Sequence, residues 1–94
     1  MPSMFMRLRV ADYEKWKQVF DEREDLRRQA GATAHSVHRD PDDQNVVTVA
    51  LRVKDISRAR EYAGSAELRS AMERAGLQGA PEIWFGEDIE DKHY

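Results

Sequence analysis

The chain contains no cysteine. Disulfides, thiol nucleophiles and thiolate metal ligands are thereby excluded. It has no apolar run near the roughly 18 residues that a membrane span needs. Its opening, "MPSMFMRLRV", turns charged too soon to read as a signal peptide, so a cytoplasmic protein with no membrane partner is expected. An excess of positive charge is missing too: 15 Lys and Arg stand against 18 Asp and Glu, a formal charge of −3. Nucleic-acid binders usually show a basic face. Here acids interleave most of the arginine clusters, and no nucleic-acid partner is expected. No nucleophile motif, phosphate loop, nucleotide fingerprint, internal repeat or low-complexity tract is present.

What remains is a 94-residue chain, 40% apolar and 35% charged, with a mean hydropathy of −0.80. That length suits a single domain over residues 1–94, with a core at about 4–86 and a polar tail at 87–94. A chain this short buries a modest fraction of its surface. So polar a composition therefore points to extra burial against a partner subunit.

Residues 4–10, "MFMRLRV", alternate. Met4, Met6, Leu8 and Val10 fall on one side, Phe5, Arg7 and Arg9 on the other, which is the period of a strand. One long helix is expected over "ADYEKWKQVFDEREDLRRQAG", with Asp12 as N-cap, Glu14 in the first turn and Gly31 closing it. Its stripe is Trp16, Val19, Phe20, Arg23, Leu26 and Ala30, the arginine burying its stem while its head stays wet. "TAHSVHR" and "NVVTVALRV" read as two strands of a hairpin around the turn formers "DPDDQ". Asp55 caps a helix that Gly64-Ser65 interrupts and that ends at Gly76. Pro81 opens a last strand, "EIWFG", and "EDIEDKHY" follows as a tail open to fraying.

The order strand, helix, strand, strand, helix, strand is the split βαβ pattern. It predicts an α+β, ferredoxin-like βαββαβ fold: a four-stranded antiparallel-type sheet in the order 4-1-3-2 with both helical segments on one face. The other face then has no cover within the chain. Yet Ile83 and Phe85 point opposite to Trp84, and Val46 opposite to Val47, so both faces carry apolar side chains. A second copy of the sheet is the expected cover.

The chain resembles the dimeric α+β barrel superfamily, and within it the antibiotic-biosynthesis-monooxygenase-like branch, over about residues 4–86. The resemblance rests on "VADYEKWKQVFD" after the first strand, "RDPDDQNVV" in the hairpin and "SAELRSAMERAG" before the last strand. It implies a homodimer with two sheets face to face and a pocket in each protomer between sheet and helices or loops. Members include cofactor-independent quinone-forming monooxygenases, haem-degrading enzymes, polyketide cyclases and muconolactone isomerases. The haem-degrading members use an asparagine, a tryptophan and a helical histidine. Here the only asparagine is Asn45, in the turn, and no histidine lies between Ser57 and Gly76.

His35 and His38 are the first candidates for chemistry, as proton carriers near neutral pH. Their odd spacing sends them to opposite faces of a strand, so they cannot share a metal, and neither metal nor cofactor is expected. Pairing Asp40 with Asn45 sets Val37 opposite Thr48 and His35 opposite Ala50. His35 then shares a face with Val46 and Thr48, and His38 with Val47, Val49 and Leu51. A one-residue slip reverses the two. The bland alternative is one histidine in a polar niche and the other in solvent.

Arg7 and Arg9 sit on a central strand, where charge is costly to bury unless paired. They either pair with Asp or Glu across a dimer or hold an anionic, enolate-like ligand. Arg7 joins the histidines as a catalytic candidate, for oxyanion stabilisation. Arg9, Trp84, Phe5, Trp16 and Tyr13 are the substrate-binding candidates, although most aromatic side chains serve core or interface. The expected function is binding of a small aromatic or polyketide-like molecule by a homodimer, as a cofactor-independent monooxygenase. A cyclase or isomerase and a non-catalytic or structural dimer are the alternatives.

Overall fold

The computed structural model describes all 94 residues. Its elements are β1 (Pro2–Arg9), α1 (Tyr13–Glu22), α2 (Glu24–Gln29), β2 (Ala32–Arg39), β3 (Val46–Val53), α3 (Ile56–Ala63), α4 (Ala66–Arg74) and β4 (Glu82–Glu87). The sheet order is β2-β3-β1-β4, with every pair antiparallel. This is the expected α+β topology, 4-1-3-2 read from the other edge.

The alternation in β1 decides which face is buried. Met4, Met6 and Leu8 join Val47, Val49, Leu51 and Val53 of β3 in one core, closed by Trp16, Val19, Phe20, Ala59, Leu68 and Met72 from the helices. Full burial of such a side chain contributes about 1.5–3 kcal/mol. The caps fall where the sequence places them. Asp12 accepts from the Glu14 and Lys15 N–H groups, Asp55 from Ser57, and Ser65 from Leu68.

Two expectations are corrected. The long first helix is two helices that meet at Arg23, whose backbone (φ −108°, ψ 28°) leaves the helical range. The Arg23 N–H bonds to the Phe20 carbonyl, and Arg27 Nη1 donates to that same oxygen at 2.6 Å. A side chain inserted into the helical ladder is an ordinary cause of a break.

The hairpin is one residue out of the expected register. Asp40 pairs with Val46, so His35 lies opposite Leu51, Val37 opposite Val49 and His38 opposite Thr48. The turn explains the slip. The Asp40 carboxylate accepts from the Asp42 and Asp43 N–H groups, and the Asp43 carboxylate accepts from Asn45. These Asx turns draw Asn45 into the loop and start β3 at Val46. His35 therefore faces the helices, with Val47, Val49 and Leu51 on its side, and His38 faces the open side of the sheet.

The open face carries Phe5, Arg7 and Arg9 of β1, Val46, Thr48, Ala50 and Arg52 of β3, Ser36 and His38 of β2, and Glu82 and Trp84 of β4. Residues beyond Glu87 form no helix or strand. Arg52 nevertheless ties the start of the tail through Asp88 at 3.4 Å and Asp91 at 2.9 Å. No helix is long and apolar enough to cross a membrane.

Candidate functional site

The apolar periodicities of β1 and the helices leave a half-open cavity of about 40 Å³ between sheet and helices. Met6 and Leu8 form its floor, Trp16 and Phe20 one wall, Leu68 and Met72 another, and Arg23, Arg27 and Tyr62 supply its polar groups. No histidine or carboxylate lines it. An outer groove of about 310 Å³ shares Arg23 and Ala71 with it and runs along α4 past Ser70 and Arg74.

An aromatic ladder follows α1. Tyr13 and Trp16 lie 5.9 Å apart, Trp16 and Phe20 stack at 5.0 Å, and His35 meets the Phe20 ring edge-on at 5.1 Å. Cations cover both ends: Arg39 sits 4.1 Å over Tyr13, and Arg27 sits 3.6 Å over Phe20.

Arg27 is the only charged residue among the nineteen buried ones, 4% exposed. Its one hydrogen bond goes to the Phe20 carbonyl, and its Nε has no partner. No carboxylate oxygen comes within 4.0 Å of it. Arg23 Nε is also buried without a hydrogen bond, with Asp25 at 3.7 Å as its ion-pair partner. Burial lowers the Arg27 pKa, against the pull of Tyr62 and of Glu24, Asp21 and Asp25. Burial likewise raises the Tyr62 pKa, against the charges of Arg27 and Arg23. The phenol is thus a neutral hydroxyl donor at physiological pH. Buried charges are normally paired; this cavity holds cationic charge in excess.

Of the catalytic and substrate-binding candidates taken from the sequence, Trp16 alone lines the cavity. Tyr13 and His35 join the ladder beside it. Arg7, Arg9, His38, Phe5 and Trp84 lie on the open face and do not meet the others. There Arg7 pairs with Asp40 at 3.8 Å and Arg9 with Asp43 at 3.1 Å, both within the chain. Phe5 and Trp84 stack at 5.5 Å with Trp84 43% exposed, and His38 Nε2 lies 3.0 Å from Ser36 Oγ. No group of three or more His, Asp or Glu side chains is placed to hold a metal ion.

Sequence reading passed over Arg27. Its signal was the spacing of seven from Phe20, which puts the two on one helical face. An arginine there reads as a buried stem with a solvated head, whereas the Phe20 carbonyl and ring hold this head inside.

No family model and no curated protein matches this chain. Solved structures do. The chain is similar to a candidate antibiotic biosynthesis monooxygenase of Bordetella bronchiseptica (TM-score 0.78, 10% identity, covering 95% of this chain and 97% of that one). It is similar to SnoaB, a cofactor-independent oxygenase of Streptomyces nogalater (0.75, 14%, covering 96% and 94%). A third likeness is to a candidate antibiotic biosynthesis monooxygenase of Caulobacter crescentus (0.73, 17%, covering 95% and 90%). At these identities the likeness is one of fold, and it extends over nearly the whole chain.

Proposed function

We propose that this protein binds a small, planar, aromatic or polyketide-like molecule between its sheet and its helices, and that it acts on it as a cofactor-independent monooxygenase. One observation carries the reading: the cavity walled by Trp16, Phe20 and Tyr62, whose ionic groups are arginines without full partners. Apolar walls with a few convergent polar groups are the usual make-up of a small-molecule site. In an oxygenase of this kind a substrate CH2 flanked by conjugated rings loses a proton, and the carbanion reduces O2 directly. The CH2 becomes C=O, the second oxygen atom leaves as water, and the substrate supplies all four electrons. The protein's part is desolvation and placement of positive charge at the developing oxyanion. Arg27 and Arg23 supply that charge. The CH2 proton, acidified by the flanking rings, passes to solvent water at the open side of the cavity, and the neutral Tyr62 phenol is the one lining group able to donate a proton to the reduced oxygen.

A homodimer formed through the open sheet face belongs to the same reading. The stacked Phe5 and Trp84 give that face an apolar centre rimmed by Arg7, Arg9, Glu82 and Arg52, the layout of a protein interface.

A second reading, a ligand carrier without catalysis, draws on the absence of any histidine or carboxylate from the cavity lining. Oxygen uptake with anthrone-like substrates separates the two, with Ala71→Phe filling the junction of cavity and groove. Uptake by the native protein that Ala71→Phe abolishes supports the oxygenase. Saturable binding without uptake supports the carrier. Absence of binding contradicts both.

A further inference from the structure

The charge inventory of the cavity narrows the class of ligand, on the premise that the cavity is a ligand site. Arg27 Nη1 is engaged by the Phe20 carbonyl, and the guanidinium lies over the Phe20 ring. Stacking and hydrogen bond together fix the plane of the fork. They leave the Nε–H inside the protein with nothing to receive it, and Nη2 beside it on the same edge makes no hydrogen bond. The Phe20 carbonyl does not need Arg27, because it already receives the Arg23 N–H at 3.2 Å. Arg23 brings a second buried, unbonded Nε to the same cavity. The carboxylates of Glu24, Asp21 and Asp25 act on Arg27 only from a distance; a buried cation with no carboxylate in contact is unfavourable, and its free edge matches two oxygens of one planar anion.

We propose that the Nε edge of Arg27, assisted by Arg23 and the Tyr62 hydroxyl, binds a two-oxygen anion carried by an aromatic ligand. A carboxylate has this form, and so does the enolate of a 1,3-dicarbonyl, whose two oxygens also lie side by side. The inner cavity, about 40 Å³, has room for the anion and little else. The ring system lies in the adjoining groove of about 310 Å³, past Arg23 and Ala71 along α4. The ligand thus enters acidic end first.

Calorimetric titration of the full chain tests this. The probes are 2-naphthoate, its uncharged isostere 2-naphthamide, and 2-acetylindane-1,3-dione, an enolate at neutral pH. The native protein is expected to bind one or both anions at least ~10-fold more tightly than the amide, the size of a charge-assisted hydrogen bond. Naphthoate preference identifies the carboxylate, and dione preference the enolate. Arg27→Met is expected to erase the preference. Arg27→Lys, which keeps the charge without the fork, is expected to retain only part of it and guards against a folding defect in the first variant. Equal affinity for naphthoate, dione and amide overturns the anion proposal and leaves the cavity reading standing. An anion preference that survives in Arg27→Met overturns the role of Arg27. Failure of all three probes to bind overturns both the anion proposal and the cavity reading.

Discussion

Arg27 lies with its guanidinium carbon 3.6 Å above the Phe20 ring and donates to the Phe20 carbonyl at 2.6 Å, so one residue engages both the side chain and the backbone of the other. The contact closes α1, starts α2 and places an unpaired cation in the only densely aromatic part of the core. A charge kept at such a place without a carboxylate is better explained by what it binds than by what it stabilises.

Replacing Arg27 with Met tests that distinction. The variant loses a cation–π contact and one hydrogen bond, but it also removes an unpaired buried charge, and Arg23 still serves the Phe20 carbonyl. Its unfolding free energy in urea is expected within about 1 kcal/mol of the native value, or above it. A loss of more than about 3 kcal/mol would make Arg27 a structural residue.

Tyr62 sets a limit at alkaline pH. Its pKa in the fold is raised above 10.0, chiefly by burial, with Arg27 and Arg23 opposing. The unfolded chain therefore releases the phenolic proton first, and stability falls as pH rises through the unfolded value. In Tyr62→Phe this part of the fall disappears. Urea midpoints between about pH 9 and pH 11 are expected to drop less steeply in the variant than in the native chain. Parallel slopes would contradict the burial of the phenol.

The hairpin register has a direct signature. His35 stands 5.1 Å from Phe20, whereas His38 is on the other face. A nuclear Overhauser effect is expected from the His35 ring to Phe20 and none from His38. In Asp40→Ala, which removes the acceptor for the Asp42 and Asp43 N–H groups, the cross-peak is expected to weaken as the register loosens. A His38–Phe20 cross-peak in the native chain would refute the register.

The open face gives the oligomer prediction. Trp84→Glu puts a charge at the centre of the Phe5–Trp84 stack and faces no buried core residue. Light scattering at micromolar concentration is expected to report a dimer for the native chain and a monomer with unchanged circular dichroism for the variant. A native monomer would remove the second sheet from the account.

The topology was legible because it depends on period and punctuation. Met4, Met6 and Leu8 alternate, Asp12, Asp55 and Ser65 cap, and Gly64-Ser65 breaks the second helical segment where expected. The hairpin register was not, because it depends on which of Asp40, Asp42 and Asp43 turns its carboxylate back on the chain, a choice of one residue that period-two alternation cannot make. That slip moved His35 to the helix side and His38 to the open face. The polar groups of the cavity were hidden for a related reason. A helical wheel drawn straight through Arg23 does put Arg27 on the Phe20 face, but an arginine on such a face reads as a buried stem with a wet head; the Phe20 ring and carbonyl that hold the head inside are contacts no wheel displays. Arg7 and Arg9 drew attention as charges on a central strand, but Asp40 and Asp43 of the neighbouring turn already answer them.

The central claim, that ligand enters between sheet and helices and not at the arginines of the open face, is tested most directly by two-dimensional NMR during titration with 2-naphthoate. The account predicts saturable shifts of the Arg27 and Arg23 Nε–H signals and of the Met6, Leu68 and Met72 methyl groups, all of which surround the cavity, while the Arg7 and Arg9 Nε–H signals stay in place. Shifts confined to Arg7, Arg9 and Trp84, with the cavity signals unmoved, would contradict it.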